Sequence, residues 1–208
     1  VLPNVYIITL KEDSARSKKL SGFLNSEGIK HTIFRGMDAV GWGLRTTNHY
    51  KFARPGNDNH LRPEQIGCYL SHYWLWRYFT MSNDFMLHGG NSQFTVLEDD
   101  CKFVPDWKEN MSLATQHLPA DWDVLLIGSC CTEDKPKLQI GSNLYECKYP
   151  FCTHGYVVRG KALQTMIDMS ENMWAPIDIL LAVEIFPKLK VFTILPRICD
   201  QDGMDLPI

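Results

Sequence analysis

Residues 94–100 read FTVLEDD: Phe94, Thr95, Val96 and Leu97 form an apolar and β-branched run that ends in three successive carboxylates, Glu98, Asp99 and Asp100. Such a run is the pattern of a buried strand. Three acids at its carboxyl end lie where open α/β sheets collect their ligands, beyond the strand ends. Adjacent carboxylates repel one another, and a divalent cation relieves that repulsion. Hard oxygen ligands favour Mg²⁺, Mn²⁺ or Ca²⁺ over zinc. With one or two protein carboxylates on such an ion, water and substrate phosphates commonly complete its shell. The bland alternative is a solvated loop after a strand.

The pattern on either side fits an α/β sheet covered on both faces. Residues 5–10 read as a strand, and Asp13 or Ser14 as the cap of a helix whose stripe includes Leu20, Phe23 and Leu24. That helix stops at Gly28, and residues 29–34 read as a second strand. Residues 36–61 are rich in Gly, Asn, Arg and His without a period, which predicts a long loop over a working surface. Pro63 and Glu64 suit the first turn of a helix running to about Phe79. After the triplet, a helix to about His117, a strand over 122–127, one or two strands within 145–158, helices over 160–173 and 176–186, and a strand over 190–195 complete the alternation. No linker or repeat divides the chain, so residues 1–208 read as a single domain, which could be a piece of a longer chain.

Composition limits the partners. The 208 residues include 21 basic and 24 acidic side chains, a formal net charge of −3, so no cationic surplus exists to neutralise a nucleic-acid backbone. No apolar run approaches the ~20 residues of a spanning helix, and the amino end lacks the order of a secretory signal. The chain is therefore expected to have no membrane span and to be cytoplasmic, with a secretory-pathway lumen open if the sequence is a fragment. Seven cysteines in no regular framework are expected to be mostly reduced and buried.

Around the triplet the sequence resembles glycosyltransferase family 25, which includes bacterial lipooligosaccharide galactosyltransferases and collagen β-galactosyltransferases. The resemblance is carried by VYIITL with Arg16 following, by LRPEQIGCYLSHYWLW at 61–76, by FTVLEDDCKFVPDW at 94–107, and by WDVLLIG, THGYVVRGKAL and PIDILL in that order. It spans nearly the whole chain. Departures are the KEDSAR loop, poorer in arginine, and ICDQDGMDLPI, with Met204 where a serine is usual.

The resemblance implies a GT-A-like nucleotide-sugar-binding fold with a central, mostly parallel mixed sheet flanked by helices. It implies Asp100 as the direct metal ligand for Mn²⁺ or Mg²⁺, with Glu98 as a second possible ligand, and Glu98 or Asp99 contacting the sugar, the ribose or metal-bound water. Arg16 could pair with phosphates or be only solvated. Ser71 and His72 occupy the family's S-H position, though a histidine among aromatics also suits a core. Thr9, Leu10 and Asp38, near strand ends, are candidates for base and ribose contacts. Asp178 could serve as the base of an inverting displacement or merely as a first-turn acid. Asp202 and Asp205 are reserve candidates for that base or for an extra metal ligand. Glu64 and Gly67 are expected to shape a helix start, and Trp42 and Trp76 to be core or to stack on a ring.

The function so implied is transfer of a sugar, galactose favoured, from a UDP-sugar to a glycan or hydroxylated protein acceptor with inversion. A degenerate module that binds nucleotide sugar without turnover is the alternative. Glycoside hydrolysis fits less well, because its two carboxylates face each other across a cleft about 5 to 9 Å wide rather than sitting adjacent on one strand.

Overall fold

The computed structural model describes residues 2–43, 61–128, 130, 137–147 and 149–202. The expected run after residue 93 is β3, Gln93–Glu98, preceded by β1, Val5–Thr9, α1, Ala15–Ser26, β2, His31–Arg35, α2, Pro63–Thr80, and a short α3, Asn83–His88. After it come β4, Cys101–Phe103, α4, Trp107–His117, β5, Val124–Gly128, β6, Lys137–Gln139, β7, Leu144–Cys147, β8, Gly155–Arg159, α5, Gly160–Met169, α6, Ile177–Leu180, β9, Val191–Ile194, and β10, Cys199–Gln201.

Eight strands form one sheet in the order β2-β1-β3-β8-β5-β9-β7-β6. Strands β2, β1, β3, β5, β9 and β6 run one way and β8 and β7 the other, so the sheet is mixed but mostly of one direction. Side chains alternate across it, and both faces are apolar. Ile8, Phe94, Val96, Leu126, Tyr156 and Val158 pack with Trp76 and Phe79 of α2 and Leu163 of α5. Val5, Ile7, Leu97, Leu125, Ile127 and Val157 pack with Leu20 and Leu24 of α1 and Trp107 and Met111 of α4. The period of two places Glu98 on the same face as Phe94 and Val96, toward α2.

Local chemistry sets the helix ends. Ser14 Oγ accepts the Ser17 N–H at 3.1 Å, which makes Ser14 the N-cap of α1, and Gly28 supplies the positive φ of 69° after it. Replacing Ser14 by alanine should cost about 1 kcal/mol in a urea melt. No loss would mean that the cap contributes nothing. At α2, Pro63 takes the first turn and Gln65 Oε1 accepts the Arg62 N–H at 2.9 Å.

The helix expected over 176–186 is broken. Only Ile177–Leu180 is α-helical, a π turn covers Leu181–Ile185, and a 3₁₀ turn covers Phe186–Lys188, where Pro187 has no N–H to continue the ladder. Likewise α5 stops at Met169, short of the expected 173. A small second sheet, β4 with β10 antiparallel, appears immediately after the triplet. Of the expected loop over 36–61, residues 44–60 lie outside the described residues, as do Asp205 and Cys131.

The expectation of reduced cysteines holds in part. Cys68, Cys101, Cys147 and Cys199 carry thiols, Cys68 partly buried and the other three buried. Cys130 and Cys152 form a disulfide. Spacing could not show that pair, because it is the antiparallel pairing of β5 with β8 that brings their flanking segments together. Among the described residues no helix is long and apolar enough to cross a membrane.

Candidate functional site

Beyond the carboxyl ends of β1 and β3 lies a cleft of about 520 Å³. Its walls come from the β1–α1 loop, the segment 37–40, the first three turns of α2, and the acidic triplet. It gathers Thr9, Leu10, Arg16, Asp38, Ser71, His72, Glu98, Asp99 and Asp100, while Trp42, Trp76, Asp178 and Asp202 do not line it. Glu64 and Gly67, expected only to shape the helix start, line it as well.

The parallel pairing of β1 with β3 sets Ile8 opposite Glu98, which brings the next residues side by side. Thr9 Oγ1 lies 2.5 Å from Asp99 Oδ2, and the Asp99 N–H donates to the Ile8 carbonyl at 3.0 Å. On the other wall Ser71 is buried and fully engaged. Its Oγ donates to the Gly67 carbonyl at 2.6 Å and accepts the Met37 N–H at 2.8 Å, fastening the segment after β2 onto α2. Asp38 accepts the Gly41 N–H at 2.8 Å, closing a turn on which Trp42 stands exposed. Trp76 is core and donates its indole N–H to Tyr156 Oη at 2.8 Å.

His72 is fully buried and central. Its Nδ1 is 2.9 Å from Tyr156 Oη and its Nε2 is 3.1 Å from Glu98 Oε1, which also accepts the Thr153 hydroxyl at 2.5 Å. Burial works to raise the Glu98 carboxyl. The hydrogen bonds from His72 and Thr153 outweigh it and hold the group below the ordinary carboxylate value.

Asp100 is treated oppositely. Burial, then the Glu98 carboxylate, pushes it up to about 6, against the pull of Arg16. Its Oδ1 is buried with no hydrogen-bond partner among the described residues, and Gln201 Nε2 stands at 3.5 Å from Oδ2, the limit of a hydrogen bond. An orphaned carboxylate oxygen crowded by two further acids fits a hard divalent cation. Cys68, His72 and Glu98 form a second possible ligand set, their ligating atoms within 4.8 Å of one another. The imidazole nitrogen that faces Glu98 is already used there, so that set fits a cation less well than Asp100.

The two candidate bases lie at the margins. Asp178 opens α6, where its Oδ1 accepts the Ile179 N–H at 2.9 Å. It does not line the cleft, but its charge, after burial and the Glu98 carboxylate, is among those that raise the thiol of Cys68, which does. Asp202 pairs with Lys19 at 2.6 Å, and that contact holds it below the ordinary aspartate range. It borders a smaller cavity of about 220 Å³ that shares Arg16 and Asp99 with the main cleft.

Thr153 and Tyr156 escaped the sequence reading. Both lie in the quoted THGYVVRGKAL block, but a threonine just before a strand and a tyrosine at its second residue carry no signal until β8 is laid beside β3.

Residues 2–144 match the profile of "Glycosyltransferase family 25 (LPS biosynthesis protein)". Similar sequences include a glycosyltransferase 25 family member of Drosophila melanogaster, 25% identical over 197 residues, covering 89% of this chain and 30% of that protein. Procollagen galactosyltransferase 1 of Danio rerio is 25% identical, covering 78% and 28%, and procollagen galactosyltransferase 2 of Homo sapiens 24%, covering 86% and 30%. The chain thus spans under a third of the length of these relatives. Among solved structures, a glycosyltransferase involved in the glycosylation of the major capsid of PBCV-1 superposes with a TM-score of 0.50 at 10% identity, covering 93% of this chain and 81% of that one, which speaks to the fold alone. With the profile covering more than half its residues, the chain belongs to glycosyltransferase family 25.

Proposed function

We propose that the chain is the catalytic domain of a metal-dependent glycosyltransferase that moves galactose from a UDP-sugar to a hydroxylated protein or glycan acceptor with inversion. The observation that carries this is the buried Oδ1 of Asp100, without a hydrogen-bond partner among the described residues, at the edge of a cleft that also holds hydroxyl, carboxylate and guanidinium groups among apolar ones. Family membership and the galactosyltransferase relatives support sugar transfer. The described residues and the sequence suggest the finer roles.

Asp100 would hold Mn²⁺ or Mg²⁺, which when bound supplies positive charge against the diphosphate that departs. Arg16 adds a second positive charge beside that position and pairs with phosphate oxygens. Thr9, Leu10 and Asp38 flank the space for base and ribose at the end of β1. Asp178 takes the acceptor hydroxyl proton as the sugar carbon becomes cation-like. Asp202, its carboxylate spent on Lys19, is the poorer base.

Titration calorimetry with UDP-galactose, UDP-glucose and UDP, each with and without Mn²⁺, tests the reading. Metal-dependent binding of a uridine nucleotide followed by UDP release on adding a hydroxylated acceptor is the expected result. Binding without turnover under any acceptor identifies the degenerate module instead, and no binding of any nucleotide sugar sinks both.

A further inference from the structure

Sulfur and nitrogen ligands meet where β5 ends and β8 begins. The sulfurs of Cys130 and Cys152 and one ring nitrogen of His154 all lie within 4.8 Å of one another, and none of the three residues lines the cleft. The two sulfurs are joined as a disulfide. That bond accounts for the cysteines and leaves the histidine without a purpose. His154 is 1% exposed, and its Nδ1 is buried with no hydrogen-bond partner among the described residues. Its Nε2 is engaged, 3.3 Å from the Cys199 carbonyl oxygen, which can only accept, so Nε2 donates. Nδ1 is left with a lone pair that nothing receives. One nitrogen donating to a carbonyl and the other kept free is how histidines are oriented on metals. Gly128 leaves the space for the ring, because a Cβ there would run into Nε2.

The backbone holds these groups together without the sulfur–sulfur bond. The Cys130 N–H donates to the Phe151 carbonyl at 3.1 Å, the Glu98 N–H donates to the His154 carbonyl at 3.0 Å, and Gly155 pairs with both Leu97 and Gly128. Reduction would therefore free two thiols without parting them. Both cysteines are only partly buried, so a dithiol can reach them. Zinc bonds sulfur at about 2.3 Å and imidazole nitrogen at about 2.0 Å, which sets its ligand atoms about 3.5 to 3.8 Å apart in a tetrahedron. Side-chain rotation alone brings the three groups to that spacing.

We infer that Cys130 and Cys152, when reduced, form with His154 Nδ1 a separate metal site that takes zinc or another thiolate-binding cation, in exchange for the disulfide. A dithiol supplies two electrons and two protons, the S–S bond breaks, two thiols form, and the dithiol closes into its own disulfide. Zn²⁺ then displaces both thiol protons to solvent as two Zn–S bonds and one Zn–N bond form, with water in the fourth position. Two thiolates cancel the charge of the ion, which suits a partly buried place. The carboxylate of Asp100 suits a harder cation, so the two positions select different metals. Thr153 lies between two of the ligands, and its hydroxyl donates to Glu98 Oε1 at 2.5 Å. Disulfide and metal are thus alternative clasps on a segment that reaches the cleft, whatever ligand the cleft takes.

Wild-type protein reduced with dithiothreitol and desalted without oxygen, and the same protein left oxidised, are each titrated with Cd²⁺ or Zn²⁺ alone. The reduced form should bind one ion more than the oxidised form, with thiolate-to-cadmium charge-transfer absorption and a ¹¹³Cd resonance that reports two sulfur ligands and one nitrogen. Cys130→Ser and Cys152→Ser should each lower the affinity for that ion at least about tenfold, since groups one step further from a metal already cost that much. Cys68→Ser and Cys131→Ser should bind like the reduced wild type. Equal stoichiometry in the two redox forms, a third thiolate on the ion, or full affinity in Cys152→Ser overturns the inference. His154→Asn should lose at least about tenfold as well. Because replacing a buried ring can unfold the chain, ¹⁵N-histidine-labelled wild type supplies the second measurement. Zn²⁺ should move the Nδ1 resonance of His154 in the reduced protein and not in the oxidised one, and an unmoved Nδ1 overturns the inference.

Discussion

Asp100→Asn should abolish metal-dependent turnover, by at least about 10³-fold, and yet make the metal-free protein more stable at pH 7.5. The loss follows from removing the ligand whose cation would oppose the charge on the leaving diphosphate, an effect typically worth several kcal/mol in the transition state. The gain follows from the environment. Asp100 is raised to about 6 by burial and by the Glu98 carboxylate. An acid whose folded pKa exceeds its unfolded value binds its proton more tightly when folded, so stability is highest below about pH 4 and falls as pH rises through 6. The undiscounted shift would be about 3 kcal/mol; for a half-buried group, solvent screening reduces that to about 1–2 kcal/mol. In a chain of this size the variant's Tm should rise by about 3–6 °C at pH 7.5, with no difference at pH 4. Mn²⁺ reverses the order. It should raise the Tm of wild type, because it binds only the folded site, and leave the variant unmoved. Differential scanning calorimetry at both pH values, with and without metal, checks all of this. A variant less stable than wild type at pH 7.5, or one that still responds to Mn²⁺, would refute the assignment.

The elements that the sequence made legible are those whose side chains carry a period. β5 is apolar throughout and β3 is buried over Phe94–Leu97 because both faces of the sheet are covered, by Trp76 and Phe79 on one side and Leu20, Leu24 and Trp107 on the other. Helix α2 announced itself through Pro63 and ended within a residue of the expected point. The strands β4 and β10 have three residues each, too few for alternation to register, yet they decide where the chain goes after Asp100, through the Asp202 N–H donated to the Asp100 carbonyl at 2.7 Å. The triplet was legible as a group but not as individuals. Glu98, Asp99 and Asp100 are chemically alike on paper. In the fold one is held by His72 and Thr153, one by Thr9, and one keeps a buried oxygen with no hydrogen-bond partner among the described residues. Those partners come from the segment that leads into β8, from α2 and from β1, and only topology brings them together. Asp178 and Asp202, alike as candidate bases, separate for the same reason, since Lys19 claims one of them.

Gly67→Ala opposes two known magnitudes at the wall of the cleft. Alanine is the better helix former by about 1 kcal/mol, and in an exposed helix the substitution would stabilise. Here an added Cβ would stand 2.5 Å from the Met37 carbonyl oxygen and 3.5 Å from the Ala39 nitrogen. A flexible side chain could swing aside, but this is backbone, and Met37 is tied by its own N–H to Ser71 Oγ, which is tied in turn to the Gly67 carbonyl. Relieving the clash therefore means moving the segment 37–40 off α2 and breaking the Ser71 bond. Overpacking of this kind costs about 1–3 kcal/mol, which exceeds the propensity gain. The expected outcome is a Tm lower by about 2–4 °C. The larger effect falls on binding, because Asp38, Ala39 and Val40 form one wall of the cleft. UDP-galactose affinity should fall by at least about tenfold, the scale of displacing one or two ligand hydrogen bonds. Ser71→Ala, which frees the same segment without adding an atom, should reproduce part of the binding loss. If Gly67→Ala instead raises the Tm and binds donor like wild type, the segment is not seated on α2 in solution, and Asp38 has no place in the site.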